Sequence, residues 1–357
     1  MITRSTLYTS PGGDTTQVHM TAKYLRDIGV DVEVVTSENH VDYQKYDIIH
    51  FFNIIRPDDI VHHIKKDRKF VISTIFVDYS EFDKIARQGI SGLLFKIMNP
   101  YHIEYVKCIA RFIVGRDKLK SFYFLLHGQY RSILHVARNA KLLLPNSHSE
   151  YKRFEKSFGT FPYRKVVNAV DPGMFNEFVI PDEAYRNHIL VVGRIEGRKN
   201  QLNVIKAMIN SEYHLTIIGK SALNQRAYYS SCRNLAQNHP NIHFIEEQLS
   251  HEKLASIYLA AKVHVLASWF ETTGLVSLEA GLMGCNLVVT RKGDTEEYFQ
   301  DMAFYCEPDD INSIKHAIDS AYYAPVDERL KCHIKNNYTW QQAASQTLEA
   351  YQLALMS

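Results

Sequence analysis

Hydrophobic and polar positions alternate between two periods along the chain. In the second half, short β-branched runs recur at 188–194, 214–220, 242–247, 262–268, 286–290 and 303–307. Stretches of helical period lie between them, at 200–210, 222–238, 250–261, 273–283 and 310–322. Strands alternating with helices of this length predict βαβ units and a mainly parallel sheet. A continuous apolar strand such as 262–268 (KVHVLAS) predicts burial on both faces. The first half reads the same way, with strands expected at 6–10, 30–37, 47–53, 69–76, 141–145 and 165–170. An amphipathic helix is expected at 15–28, after the Pro11-Gly12-Gly13 turn.

Two α/β domains follow, meeting around 168–187, a stretch with two prolines and little periodicity. Residues 81–140 interrupt the alternation as a long insertion. Within it, 96–131 carry seven bases (Lys96, Lys107, Arg111, Arg116, Lys118, Lys120, Arg131) against Glu104 and Asp117. Phe95, Tyr101, Tyr105, Phe112, Phe122, Tyr123 and Phe124 are interleaved with them.

Composition narrows the classes. The 357 residues are 46% hydrophobic and 22% charged, which excludes a wholly disordered or fibrous chain. The net charge of +2 is too balanced for a dedicated nucleic-acid binder. It hides a split, +6 over 1–180 and −4 over 181–357. The five cysteines are scattered and form no CxxC pair, so a reducing compartment is expected. The N-terminus has no apolar signal region, and no apolar run reaches the roughly 18–20 residues of a membrane span. A cytoplasmic protein is expected, with a peripheral place on the inner face of a membrane left open.

Three segments carry candidate chemistry. There is no GxGxxG fingerprint, no P-loop, no HExxH, no GxSxG and no Asp-x-Asp pair. The strongest signal is Ser268 to Gly284, SWFETTGLVSLEAGLMG. A strand ends in a polar loop with Glu271, and Thr272 or Thr273 is placed to cap the next helix. Gly274 permits close backbone approach to a ligand, and the first N–H groups of the helix suit a diphosphate. Glu279 lies about one and a half turns into that helix. Two carboxylates at this spacing suit hydroxyl recognition rather than metal binding. The plain reading is a capped helix with a solvated Glu. The second signal is Gly193-Arg194 with Lys199, two cations after an apolar strand, where parallel sheets bind ligands. The third is Gly12-Gly13 ahead of a helix. Taken singly, these two read as solvated loop cations and an ordinary turn.

Together the three resemble one family, the retaining GT-B glycosyltransferases of glycosyltransferase family four (group 1), over nearly the whole chain. Asn168-Ala169-Val170-Asp171 with Phe175 resembles the family's domain junction. Gly193-Arg194 with Lys199 resembles its diphosphate-binding pair. Glu271 and Glu279 have its E-x7-E spacing, Gly293-Asp294-Thr295-Glu296 resembles its next loop, and Tyr338-Thr339-Trp340 the start of its last helix. The resemblance implies two Rossmann-like, doubly wound parallel-sheet domains facing a cleft. These are an acceptor-side domain at 1–170, a nucleotide-sugar domain at 171–338, and a helix at 339–357 crossing back.

It also implies roles. Arg194 and Lys199 would neutralise the diphosphate, and Gly193 and the backbone at Thr273, Gly274 and Leu275 would hold the phosphates. Glu279 would bind the ribose and Glu271 the donor sugar, while Gly12 and Gly13 would approach the phosphates. The expected partners are a UDP- or GDP-sugar donor and a glycan or lipid-linked glycan acceptor, with no nucleic acid, cofactor or metal; the basic, aromatic insertion suits a membrane surface or a lipid-diphosphate acceptor, or else its aromatics pack onto the sheet and its bases are solvated. The chain departs from the family at Ser73 to Tyr79, which lacks the usual His. Asp78 is the candidate to take part there, or else a loop carboxylate. Rival readings are a nucleotide-sugar-binding protein without turnover, an epimerase on the same fold, and a membrane-surface scaffold.

Overall fold

The computed structural model describes residues 1–65, 67–79, 81–82, 99–115, 118–222 and 224–357. The chain divides into two compact units, Met1–Asn168 with Trp340–Ser357, and Ala169–Thr339. Of the insertion residues singled out above, Phe95, Lys96, Arg116 and Asp117 lie outside the described residues, as does Leu223 in the 222–238 stretch.

The first unit holds a five-stranded parallel sheet. Its strands are β1 (Ile2–Thr3), β2 (Val35–Thr36), β3 (Ile49–Phe52), β4 (Phe70–Ser73) and β5 (Leu142–Leu144), in the order β2-β1-β3-β4-β5. Helices α1 (Gly13–Asp27), α2 (Asp58–Val61), α3 (Pro100–Ile113), α4 (Phe122–Asn139) and α5 (His148–Phe158) connect them. Strands β3 and β4 are buried along their whole length, as sheets covered on both faces require. Ile72, Phe51, Ile133, Val136 and Phe154 share one core cluster.

The second unit holds six parallel strands: β6 (Ile189–Val192), β7 (Leu215–Ile218), β8 (Ile242–Ile245), β9 (Val263–Leu266), β10 (Asn286–Thr290) and β11 (Phe304–Cys306). Their order is β11-β10-β9-β6-β7-β8. The connecting helices are α6 (Gln201–Met208), α7 (Arg226–Ala236), α8 (His251–Ala260), α9 (Leu275–Leu282), α10 (Thr295–Phe299), α11 (Ile311–Tyr323) and α12 (Glu328–Asn337). The last helix, α13 (Trp340–Met356), belongs to the first unit. There Tyr351 bonds Nδ1 of buried His50 at 2.8 Å, and the His50 Nε2 meets Ser73 Oγ at 2.9 Å.

Two expected strands do not form. Residues 6–10 are a turn, because the buried Arg4 guanidinium gathers them. It donates to the Thr6 carbonyl and hydroxyl at 2.7 Å and to the Ser10 carbonyl at 2.8 Å. It also forks onto Asp14 at 2.5 and 2.9 Å. Those bonds hold the backbone out of a ladder, so only Ile2–Thr3 pairs in the sheet. Residues 165–170 follow β5 without a sustained ladder. The Val167 N–H goes instead to Gln346 of α13 at 2.9 Å, and the Val170 N–H to the Tyr338 carbonyl at 2.9 Å.

Candidate functional site

In an open parallel sheet the ligand crevice lies outside the carboxyl ends of the strands, where the strand order reverses. In the second unit β6 leads one way to β7 and β8, and the chain then returns beside β6 at β9. The reversal therefore lies between β6 and β9. The loops that leave these two strands are 193–200 and 267–274, which contain two of the three segments singled out from the sequence.

The structure brings them into contact. Lys199 Nζ donates to Glu271 Oε2 at 2.7 Å, with both side chains largely buried. Asn200, in the left-handed conformation, donates to the carbonyls of Ala267 at 2.9 Å and Pro308 at 2.7 Å. The Trp269 N–H donates to the Arg198 carbonyl at 2.9 Å. The two loops are thus stitched by backbone as well as by charge. Arg194 follows Gly193 (φ 141°) and remains 42% exposed at its side chain, against 25% for Lys199. It reaches Glu196, whose buried carboxylate sits between Arg194 at 3.4 Å and Arg198 at 3.5 Å.

Glu271 is held from its other side too. Its N–H donates to the Lys292 carbonyl at 3.0 Å, and its carbonyl accepts from the Asp294 N–H at 2.9 Å. This loop (293–296) is the further segment on which the family resemblance rests. Gly293 makes the approach possible, since a Cβ there would lie 1.9 Å from the Glu271 carbonyl oxygen.

Neither Thr272 nor Thr273 caps α9. Gly274, left-handed at φ 70°, is the N-cap and leaves the helix without a side-chain cap. The reason is steric: a Cβ on residue 274 would press on Leu266 at 2.8 Å, so the loop takes its turn at the glycine. The opening N–H groups of α9, from Leu275 on, therefore lack a side-chain partner and keep the positive end of the helix dipole. Thr273 is fully buried and its hydroxyl has no partner among the described residues, and the same holds for Ser268.

Behind α9 lies His264 of β9, fully buried, with Nδ1 3.4 Å from Ser277 Oγ and no partner at Nε2 among the described residues. Burial, with a smaller contribution from the Lys199 charge, lowers its pKa to about 3, so it is neutral. No motif in the sequence marks His264 or Asn200. For His264 the one available signal is a lone polar residue inside an otherwise apolar strand.

Glu279 is half-buried on α9, and burial pushes its pKa up to about 8. The folded state thus binds a proton that the unfolded chain releases above about 4.5. Its contribution to stability is full below that value and is lost as pH rises toward 8. Glu279→Gln, which keeps the shape without the charge, is expected to gain on the order of 2 kcal/mol over wild type at pH 9, after discounting for partial exposure. It should gain little at pH 5. Thermal melts of both proteins across that range check the sign, and a constant difference would rule it out.

The remaining predicted residues belong to the first unit. Gly12 is extended at the N-cap of α1, its N–H donating to Thr15 Oγ1 at 3.0 Å, and Gly13 opens the helix. Asp78 is exposed in the loop after β4, and its charge is felt by Tyr101 of α3, whose phenol burial raises first. That loop is held from below by Glu150 of α5. Fully buried, Glu150 accepts from the Phe76 N–H at 2.7 Å, the Asn146 N–H at 2.9 Å and the Thr74 hydroxyl. Among the described residues no three His, Cys, Asp or Glu side chains come together as a metal site.

Residues 176–340 match the family model described as glycosyl transferases group 1. No curated protein matches the chain. Several solved structures match nearly all of it. Sucrose-phosphate synthase from Thermosynechococcus elongatus is 15% identical, with 97% of this chain and 94% of that one covered at a TM-score of 0.71. A glycosyltransferase from Rickettsia africae ESF-5 is 13% identical, with 99% and 98% covered at 0.69. Anabaena HepE, solved with UDP-glucose, is 15% identical, with 98% and 99% covered at 0.67. The fold class is accordingly GT-B, built of two parallel-sheet α/β domains.

Proposed function

We propose that this protein is a glycosyltransferase that moves a hexose from a UDP- or GDP-sugar to a glycan acceptor, with retention of anomeric configuration and without a metal. The observation that carries the reading is the Lys199–Glu271 pair beside the uncapped start of α9, at the strand-order reversal of the second unit. The match of residues 176–340 to group 1 glycosyl transferases supports it, as does the UDP-glucose held by the Anabaena neighbour.

The roles follow from the chemistry each group offers. The donor's diphosphate leaves with growing negative charge. Arg194 and Lys199 supply fixed positive charge, and the N–H groups at Gly274 and Leu275 add dipoles that need no reorganisation. Glu271, anchored through its backbone, accepts hydrogen bonds from the sugar hydroxyls. Glu279 accepts them from the ribose, an apolar setting in which each such bond is strengthened. In the step, the bond from the anomeric carbon to phosphate oxygen breaks and the bond to the acceptor oxygen forms on the same face. The acceptor's proton passes to the leaving phosphate. Asp78 and the loop held by Glu150 belong to the acceptor side of this reading. The acceptor we favour is a lipid-linked or surface polysaccharide precursor, handled in the cytoplasm.

A panel of UDP-, GDP- and ADP-sugars tests it, with and without chelator, scored by thermal shift and by release of nucleoside diphosphate. One donor is expected to stabilise the protein and to be hydrolysed slowly, with chelator making no difference. Stabilisation with no release in the presence of candidate acceptors would favour a binder without turnover. No response to any donor would end the proposal.

A further inference from the structure

The first unit has a strand-order reversal of its own. From β1 the order runs one way to β2, and the chain returns on the other side of β1 at β3. The loops that leave β1 and β3 therefore flank a crevice of the kind in which open parallel sheets bind ligands. The donor-binding residues proposed above include none of 53–57, the loop after β3.

Two side chains of that loop have no partner among the described residues. Asn53 is 9% exposed, and its Oδ1 is buried without a hydrogen bond. A buried polar atom left so is accounted for by a ligand or an ordered water. Asn53 is left-handed at φ 74°, a conformation that asparagine tolerates, and its carbonyl accepts from the Arg56 N–H at 3.1 Å. This closed turn keeps residues 53 and 56 together. Arg56 is half-buried, and its guanidinium makes no hydrogen bond or ion pair.

Electrostatics places Arg56 at the crevice. Burial works to raise the pKa of Asp14, in the first turn of α1, but its bonds to Arg4 and the charges of Arg4 and Arg56 hold it below the ordinary value. Asp59 of α2 is lowered against its burial in the same way, by Lys120 and Ser37 first and by Arg56 last. The Ser5 N–H, in the loop after β1, donates to Asp59 at 3.4 Å, so the two sides of the reversal meet here. The Arg56 charge is felt at both carboxylates, yet each is already taken. Arg4 forks onto Asp14, and Lys120 and the Ser37 hydroxyl hold Asp59. Asp58, the third acid, accepts from the N–H groups of Lys120 at 2.9 Å and Ser121 at 2.8 Å. Arg56 keeps its donors for something else, and a guanidinium fork suits a phosphate or a carboxylate.

We infer that Arg56 and Asn53 form an anion subsite for the acceptor, in which Arg56 holds a phosphate or carboxylate group and Asn53 Oδ1 accepts from a hydroxyl of the same sugar. The acceptor is then an anionic sugar rather than a neutral one. This names the acceptor class within the transferase reading and rests on it, because that reading puts the acceptor on the first unit.

The test is titration calorimetry of the full chain, without donor, against inorganic phosphate, glucose 6-phosphate, glucuronate and glucose. An anionic ligand is expected to bind and glucose is not, and the comparison of glucose 6-phosphate with glucuronate tells which anion the subsite prefers. Arg56→Gln should weaken that binding about tenfold or more, and Arg56→Lys should keep part of it. Asn53→Gly, which keeps the left-handed turn, should weaken binding of the anionic sugar and leave that of inorganic phosphate unchanged. The ligand-free melting temperature of Arg56→Gln should stay close to that of the wild type. Absence of binding by any of the anions would overturn the proposal. So would binding that Arg56→Gln leaves intact, which would put the anion elsewhere and leave Arg56 as a structural balance to Asp14 and Asp59. Binding that needs Arg56, in a protein that turns over no donor, would uphold the subsite and end the transferase reading instead.

Discussion

Lys199→Met is expected to lower donor turnover by about 100- to 1,000-fold, the range seen when one fixed transition-state partner is removed. The ammonium is largely buried, with its Nζ 2.7 Å from Glu271. In the proposed reaction, removing it takes a positive charge from the place where the leaving diphosphate gathers negative charge. It also leaves the Glu271 carboxylate, 12% exposed, without its cation. An uncompensated buried charge is costly, so a fall in melting temperature should accompany the loss of rate. The two effects separate with Glu271→Gln in the same background. The double variant should recover stability, because no bare carboxylate remains, but not rate. Lys199→Arg keeps the charge and should retain part of the turnover. Release of nucleoside diphosphate from the preferred donor is the readout. A Lys199→Met protein working within threefold of wild type would remove this lysine from the chemistry.

Residues 199 and 271 stand 72 positions apart, and their contact depends on topology. The sequence showed both loops, because each follows a continuous apolar strand whose burial on two faces leaves little doubt about its end. It did not show that β6 and β9 are neighbours, which is what brings the lysine to the glutamate. The first unit was less legible for a different reason. Its opening strands are two residues each, too short for a period to register. Residues 6–10 read as a strand because their β-branched and aromatic character outweighs the draw of Arg4, which acts through side-chain bonds to Asp14 ten positions away. The cap of α9 departs from expectation too. Thr272 and Thr273 have the right chemistry, but the turn is made in the left-handed region at residue 274, φ 70°, which favours glycine. The raised pKa of Glu279 is a property of packing that no spacing displays.

Gly293→Ala is expected to do nearly as much damage to turnover as the loss of Lys199, without touching an ionisable group. Residue 293 sits at φ 113°, where an L-residue is strained. A Cβ there would stand 1.9 Å from the Glu271 carbonyl oxygen, 2.8 Å from its carbon and 3.0 Å from its nitrogen. Carbon and oxygen not bonded to each other need more than 3 Å, so the two strands of backbone must part by about 1 Å or more. That parting breaks the bonds from the Glu271 N–H to Lys292 and from the Asp294 N–H to Glu271. We expect about 3 kcal/mol of lost stability, from strain together with the two broken bonds. A displacement of that size at the side chain proposed to hold the donor sugar should also lower turnover by about 100-fold. Gly284→Ala is the control. Its φ of 92° carries similar strain, but its nearest neighbour would lie 4.0 Å away at Val326, so only about 1 kcal/mol is expected and no loss of rate. Equal melting temperatures and equal rates for the two alanine variants would mean that the close approach of Gly293 to Glu271 does not position the site.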